Sequence, residues 1–135
     1  MFLQNVIKNT RELVNLEKLT STVTVKGSLL AKNVTNGKVI PATSSTVRSE
    51  IEGVSNQDIA AAEALSQVPA ILVSSSDTWI ADTTNNSNTA HNYQRMILTD
   101  AATVNNTGTD SSDGIVEQVG VFGVAADKKI IVRFL

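Results

Sequence analysis

The sequence contains no cysteine and only one histidine, His91, among its 135 residues. Without cysteine the fold cannot depend on a disulfide, a thiolate nucleophile or a cysteine-ligated zinc ion. A single histidine disfavours a zinc site as well, and we expect no metal and no cofactor. His91 lies in the polar stretch TNNSNTAHNY, where no motif supplies the positioned partner that general-base chemistry requires. We therefore expect an exposed loop histidine, no catalytic residue, and a protein that is not an enzyme.

Charged and aromatic residues are also scarce. The formal net charge is −2, which gives no general attraction to phosphate backbones or to anionic membranes. No stretch approaches the 18 or so apolar residues of a membrane-spanning helix, and the first residues lack the pattern of a signal peptide. We expect neither a nucleic-acid partner nor a membrane. Aromatic content is 4%, which leaves few rings for stacking on sugars.

Threonine, asparagine and serine dominate the polar residues, and this balance is typical of strands joined by polar turns. The chain has the length of one domain. The clearest local signal is Asn36-Gly37, which suits a type I′ turn between two apolar segments. We predict a mainly β fold, a small β-barrel or β-sandwich with one short helix and an N-terminal arm or helix. The predicted strands are 22–26, 28–34, 38–42, 46–54, 70–73, 79–81, 95–99, 115–123 and 129–135.

The short helix is predicted between the fourth and fifth of these strands. Ser55 to Asp58 matches a capping box, and residues 59–65 contain strong helix formers, with Pro69 beyond their end. Because the apolar stripe of this segment is short, an irregular crossover is the alternative.

Residues 1–19 differ from the β-rich remainder, 20–135. Their apolar residues recur at spacings of three and four, as on one face of a helix, while several asparagines weaken that interpretation. Two interpretations stand: a helix packed on the protein's own core, or an arm that docks on a partner. The candidate partner-binding residues of this segment are Phe2, Leu3, Val6 and Ile7.

Three further features have structural interpretations. Trp79, the only tryptophan, fits a core anchor near the end of a sheet, with an interface role as the alternative. Gly53 suggests a bulge or a tight approach, and Gly120 with Gly123 suggests bulges at a barrel corner. The loop 105–114 carries oxygen ligands but fails the spacing of a calcium-binding EF-hand, so we expect ordinary turns there.

The order of segments from Gly27 to Leu135 resembles a known class of viral proteins. The segments are KGSLLAKNVTNGKVIPAT, EIEGVSNQDIAAAEAL, VPAILVSSSDTWIADTTNN, QRMILTDAATVNNTG and GVFGVAADKKIIVRFL. Together they are similar to the auxiliary capsid proteins of tailed bacteriophages, known as decoration, cement or head-stabilising proteins. The resemblance implies a compact β domain, frequently trimeric, that binds the major capsid protein on the outer capsid surface. It also implies assembly in the host cytoplasm and an N-terminal arm that pairs with a capsid strand.

Two other functions fit the same composition. A tail tube or tail-terminator subunit is also a small β protein of the virion, but it forms rings or stacked tubes. A carbohydrate- or receptor-binding β module would need exposed aromatic residues, of which Trp79 and Tyr93 are the candidates.

Overall fold

The computed structural model describes residues 1–4, 13–19, 22–60, 63, 65–108 and 110–135. Within them the fold is mainly β, which confirms the predicted fold class. The only helical segments of that part are three short 3-10 turns, at 48–50, 89–91 and 125–127. The strands are β1 (Phe2–Gln4), β2 (Leu13–Glu17), β3 (Leu29–Lys32), β4 (Val39–Pro41), β5 (Ile51–Ser55), β6 (Gln67–Leu72), β7 (Thr78–Thr83), β8 (Arg95–Met96), β9 (Leu98–Asp100), β10 (Thr103–Val104), β11 (Val116–Val121) and β12 (Lys129–Phe134).

Sheet A contains seven strands in the order β8-β11-β12-β7-β10-β9, with β1 also paired to β7. All pairs are antiparallel except β10 with β7. β8 and β9 are two halves of the stretch 95–100, interrupted at Ile97. Because β8 pairs with β11 and β9 pairs with β10, the sheet returns to the segment where it starts. Sheet A is therefore nearly closed and barrel-like.

Sheet B contains five antiparallel strands in the order β2-β6-β5-β3-β4. Its two edge strands meet at a single parallel bridge between Lys18 and Val39. The Lys18 side chain is fully buried there, and its ammonium donates hydrogen bonds to the carbonyls of Leu19 (3.0 Å) and Thr22 (3.1 Å). A buried ammonium requires such acceptors, so these carbonyls allow a lysine to lie where the edges converge.

Two hydrophobic cores lie on opposite faces of sheet B. The larger core is shared with sheet A and includes Phe2, Trp79 and Phe134, whose ring centroids lie 5.9 Å (Phe2 to Phe134) and 6.0 Å (Trp79 to Phe134) apart. Trp79 is fully buried, which confirms its prediction as a core anchor. The smaller core comprises Leu30, Val39, Ile59, Val68 and Ala70. Alternating side chains along β3 reach both cores, as the pleat of a strand requires.

The predicted hairpin around Asn36-Gly37 is present, since β3 pairs with β4. The predicted type I′ turn is wrong, because that turn needs positive φ at both residues and only Gly37 has it (φ 73°). The loop is longer: Asn33 N–H donates to Lys38 O, and Gly37 N–H donates to Asn33 O, both at 2.8 Å. The Oδ1 atoms of Asn33 and Asn36 accept hydrogen bonds from the backbone N–H groups of Thr35 and Lys38, and these bonds stabilise the longer loop.

Two other predictions are corrected by one contact. Thr24 and Ile59 exchange both backbone hydrogen bonds, at 3.0 and 2.9 Å. Thr24 is therefore buried, while Val23 and Val25, the expected inward residues of a strand at 22–26, are exposed. Ile59 lies in this bridge and not in a helix, so the predicted helix does not begin there. Residues 61, 62 and 64 of that helix lie outside the described residues.

The predicted helix or separate arm at 1–19 is wrong for the part that the structure describes. Phe2–Gln4 is a strand of sheet A, and Leu13–Glu17 is an edge strand of sheet B. Backbone pairing explains the difference, because β1 pairs with β7 and β2 pairs with β6. Residues 5–12, which include Val6 and Ile7, lie outside the described residues. In the described ranges, no helix is long and apolar enough to cross a membrane.

Candidate partner-binding surface

The first strand is held in place from both sides. On one side β1 pairs with β7, in the register Phe2 to Ala81 and Leu3 to Ile80. On the other side Phe2 N–H donates to Gly27 O at 2.7 Å, and Gly27 N–H donates to Ser55 O at 2.8 Å. Phe2 is 1% exposed, so its ring belongs to the protein's own core. This burial corrects the expectation that Phe2 offers its side chain to a partner.

Leu3 points the other way, because successive side chains of a strand alternate between faces. It is 48% exposed. Its cross-strand neighbour is Ile80, whose neighbour on the next strand is Ile131. Both isoleucines are half-buried. These three residues form an apolar row across the outer face of sheet A, which we call the outer row.

Ion pairs flank the outer row on both sides, two residues away along the strands. On one side Asp82 accepts hydrogen bonds from Lys129 and from the N-terminal ammonium of Met1. Partial burial acts to raise the pKa of Asp82, but these two cations outweigh it and hold the pKa below its ordinary value. On the other side, along β12, the Arg133 guanidinium lies 2.8 Å from Glu117 Oε2. With its bordering charges paired, the row presents an apolar strip of low net charge.

A cavity of about 440 Å³ opens beside the first strand, where sheets A and B meet. Val54, Ile71 and Trp79 line its apolar wall, and Met1, Leu3 and Val25 line it as well and are exposed. Leu3 thus belongs both to this cavity and to the outer row. We define the N-terminal surface as Met1, Leu3, Val25, Ile80 and Ile131.

His91 and Asp110, which belong to the polar loops considered for chemistry, lie outside the N-terminal surface. His91 is half-buried in a 3-10 turn, where its imidazole packs so closely on Gly108 that a Cβ there would lie 3.0 Å from Nε2. It is therefore less exposed than the sequence predicts. Asp110 accepts two side-chain hydrogen bonds and one backbone hydrogen bond from Arg95, which lower its pKa to about 2. Among the described residues, no three histidine or acidic side chains come together as a metal site would require.

The sequence identified one member of the N-terminal surface, Leu3, and missed the other four. For Ile80 a signal existed: in the stretch TWIADT a buried Trp79 requires the next side chain to face outward. Val25 was predicted to face the core and is exposed. For Met1 and Ile131 no sequence pattern indicated a place on the surface. Val6 and Ile7, the remaining predicted residues, lie outside the described part of the chain.

No protein-family model matches this chain, and a search of curated proteins finds no match either.

Proposed function

We propose that this protein is a structural component of a bacteriophage particle. In this proposal it binds the outer surface of the capsid and stabilises contacts between major capsid subunits. The observation that carries the proposal is the N-terminal surface, where an exposed leucine, two half-buried isoleucines and an open apolar cavity adjoin one another. The segment resemblance between Gly27 and Leu135 supplies the class of partner.

The physical demands of such a role fit this surface. A protein that reinforces a shell needs a complementary apolar area, since binding free energy comes from a few well-packed residues in the centre of an interface. Each single contact can be weak, because many copies act on one closed shell. Paired charges around the outer row supply the polar rim that surrounds such a centre.

Leu3→Asp tests the proposal directly. The substitution places a carboxylate in the middle of the N-terminal surface but leaves the backbone pairing of β1 unchanged. We expect the variant to fold and to lose at least roughly tenfold in affinity for capsids that lack the protein, since an unpaired charge would be desolvated on binding. Copy number per shell, measured by mass spectrometry of purified particles, is the readout.

Val34→Asp is the matched control. Val34 is 76% exposed in the β3–β4 turn, away from the N-terminal surface, and its replacement should leave attachment unchanged. Equal occupancy of capsids by the two variants would refute a role for this surface. If the wild-type protein binds no capsid at all, the proposed function itself is refuted.

A further inference from the structure

The outer row continues onto a fourth strand, where it ends at a glycine. Gly120 of β11 is the cross-strand partner of Ile131. The row therefore begins with an exposed leucine on β1, has two half-buried isoleucines in its middle, and ends on β11 at a position without a side chain. A Cβ at Gly120 would meet only the Ile131 side chain, at 3.7 Å. The surface of sheet A is therefore low at this end of the row.

A second row of side chains runs beside the outer row on the same face, two residues further along each strand. In its middle, Asp82 of β7 is the cross-strand partner of Lys129 of β12. Beyond Asp82 lies Met1, whose C=O accepts a hydrogen bond from Asp82 N–H at 3.3 Å. Beyond Lys129 lies Phe122, whose N–H donates to Lys129 O at 3.1 Å. Met1 and Phe122 are both exposed. We call these four residues the flanking row.

The outer row is complementary to itself about the line that runs between β7 and β12. Leu3 on β1 and Gly120 on β11 lie on opposite sides of this line, each two strands from the other copy of its kind of position: one strand outside β7 and one strand outside β12. A long side chain thus matches a position that has none. Ile80 and Ile131 lie next to the line on either side, so that each isoleucine matches the other.

The flanking row is complementary about the same line, and here the match includes charge. Asp82 lies on one side of the line and Lys129 on the other, so an acid matches a base. Further out, Met1 matches Phe122, and contacts between a thioether and an aromatic ring are favourable. A line along β7 itself would match Asp82 with Asp82, and a line along β12 would match Lys129 with Lys129, which opposes like charges. Of these three lines, only the one between the strands matches both size and charge.

We propose that the outer face of sheet A binds a second copy of the chain, with a two-fold axis that runs along this line. Rotation about that axis brings each residue of the two rows against its match in the other copy. The matched pairs are Leu3 with Gly120, Ile80 with Ile131, Asp82 with Lys129 and Met1 with Phe122. The strands of the two stacked sheets are then aligned, as in a β-sandwich. The contact is isologous and closes after two copies.

The interface is small, because it comprises two rows of side chains on four strands that lie about 4.8 Å apart. We therefore expect a reversible dimer with a Kd on the order of 10 µM. The dimer does not rest on the proposed function, since its formation needs no capsid. While it persists it covers Leu3, Ile80 and Ile131, so a copy must leave the dimer before these residues can contact another surface.

Sedimentation velocity of two variants, alone and mixed, tests the matched pairs. Gly120→Lys fills the space that Leu3 of the second copy occupies, and its Cβ meets only the end of the Ile131 side chain in its own chain. Leu3→Asp places a carboxylate against Gly120 of the second copy. Each variant alone should raise the Kd of the dimer by roughly tenfold or more. A mixture of the two should form a heterodimer with a Kd close to that of the wild type. In the heterodimer the new ammonium lies against the new carboxylate, while the second Leu3–Gly120 contact is unchanged.

Val34→Lys is the matched control, because Val34 is exposed in the β3–β4 turn of sheet B. It should leave the wild-type dimer unchanged and should not restore dimerisation of Leu3→Asp. Phe122→Asp, at an exposed position, is a further variant that should weaken the dimer without disturbing the core. A wild-type protein that stays monomeric at roughly 1 mM would overturn the proposal, and so would a trimer. A mixture that associates no more tightly than its two variants alone would overturn it as well. Purified protein suffices for all of these measurements, so their outcome is independent of whether the protein attaches to a capsid.

Discussion

Tyr93 shows how a single residue can conflict with the local backbone. Its φ is 68°, in the left-handed region that side chains other than asparagine and glycine rarely adopt. The conformation is fixed by the Tyr93 N–H, which donates to Gln118 O at 2.7 Å. The side chain is 73% exposed. Burial of the ring therefore offsets little of the free-energy cost of the left-handed backbone conformation.

Replacement of Tyr93 by asparagine should therefore stabilise the protein. Asparagine tolerates positive φ, and the gain in unfolding free energy should be about 1 kcal/mol, a fraction of the left-handed penalty. Equilibrium denaturation with urea measures the change. Tyr93→Phe, which keeps the strained backbone, should leave stability unchanged. A loss of stability in Tyr93→Asn would mean that the tyrosine ring makes contacts that outweigh the strain.

Among the elements, the glycines of two strands differ in what surrounds them. A Cβ at Gly53 of β5 would lie 2.8 Å from the carbonyl oxygen of Ile71, which is backbone and cannot move aside. At Gly120 of β11 the nearest atom is Ile131 Cδ1, at the ordinary distance of 3.7 Å. Both glycines lie beside register shifts, which confirms the predicted tight approach or bulge at Gly53 and the predicted bulge at Gly120.

Alanine at these two positions should have unequal effects. Gly53→Ala should lower the free energy of unfolding by roughly 1–3 kcal/mol, as overpacking of a close-packed interior does. Gly120→Ala should change it by less than about 0.5 kcal/mol, since the added methyl meets only a side-chain end. Thermal unfolding of both variants under identical conditions provides the comparison. Similar costs would show that loss of glycine flexibility, and not the contact with Ile71, sets the penalty.

The strands could be located from the sequence more reliably than their faces. Alternation and turn residues located the hairpin and most strand positions, because these are local properties. The burial of Thr24 depends on Ile59, a partner far along the chain, and the alternating valines gave the opposite orientation. Similarly, Leu3 could be proposed as a contact residue from its own segment. Its apolar neighbours Ile80 and Ile131 depend on strand register, which a single sequence does not encode locally.

At the scale of the whole molecule, the first strands join the two sheets. β1 belongs to sheet A and places Phe2 in the larger core, while β2 forms an edge of sheet B. The described residues of this segment are therefore integral to the fold, as strands and not as the helix that the spacing of the apolar residues predicted, and they do not form the separate arm that was the alternative interpretation.

A chain that lacks residues 1–19 should consequently fail to fold. It loses the buried Phe2 ring and a complete strand from each sheet, and we expect collapsed amide dispersion in its NMR spectrum. In the full chain Phe2→Ala should cost about 3–5 kcal/mol, as removal of buried aromatic rings does. Leu3→Ala should lower the free energy of unfolding far less, because the Leu3 side chain is half-exposed. A native-like spectrum from the truncated chain would show that β1 and β2 are accessory to the core.

The position of β12 has a consequence for synthesis on the ribosome. This strand lies between β7 and β11, and it contributes Ile130, Val132 and Phe134 to the larger core. Until Lys129–Phe134 has left the exit tunnel, β7 and β11 lack their shared neighbour, and sheet A cannot close. A nascent chain must therefore carry unpaired strand edges up to that moment, which is the interval in which chaperone contact would matter most.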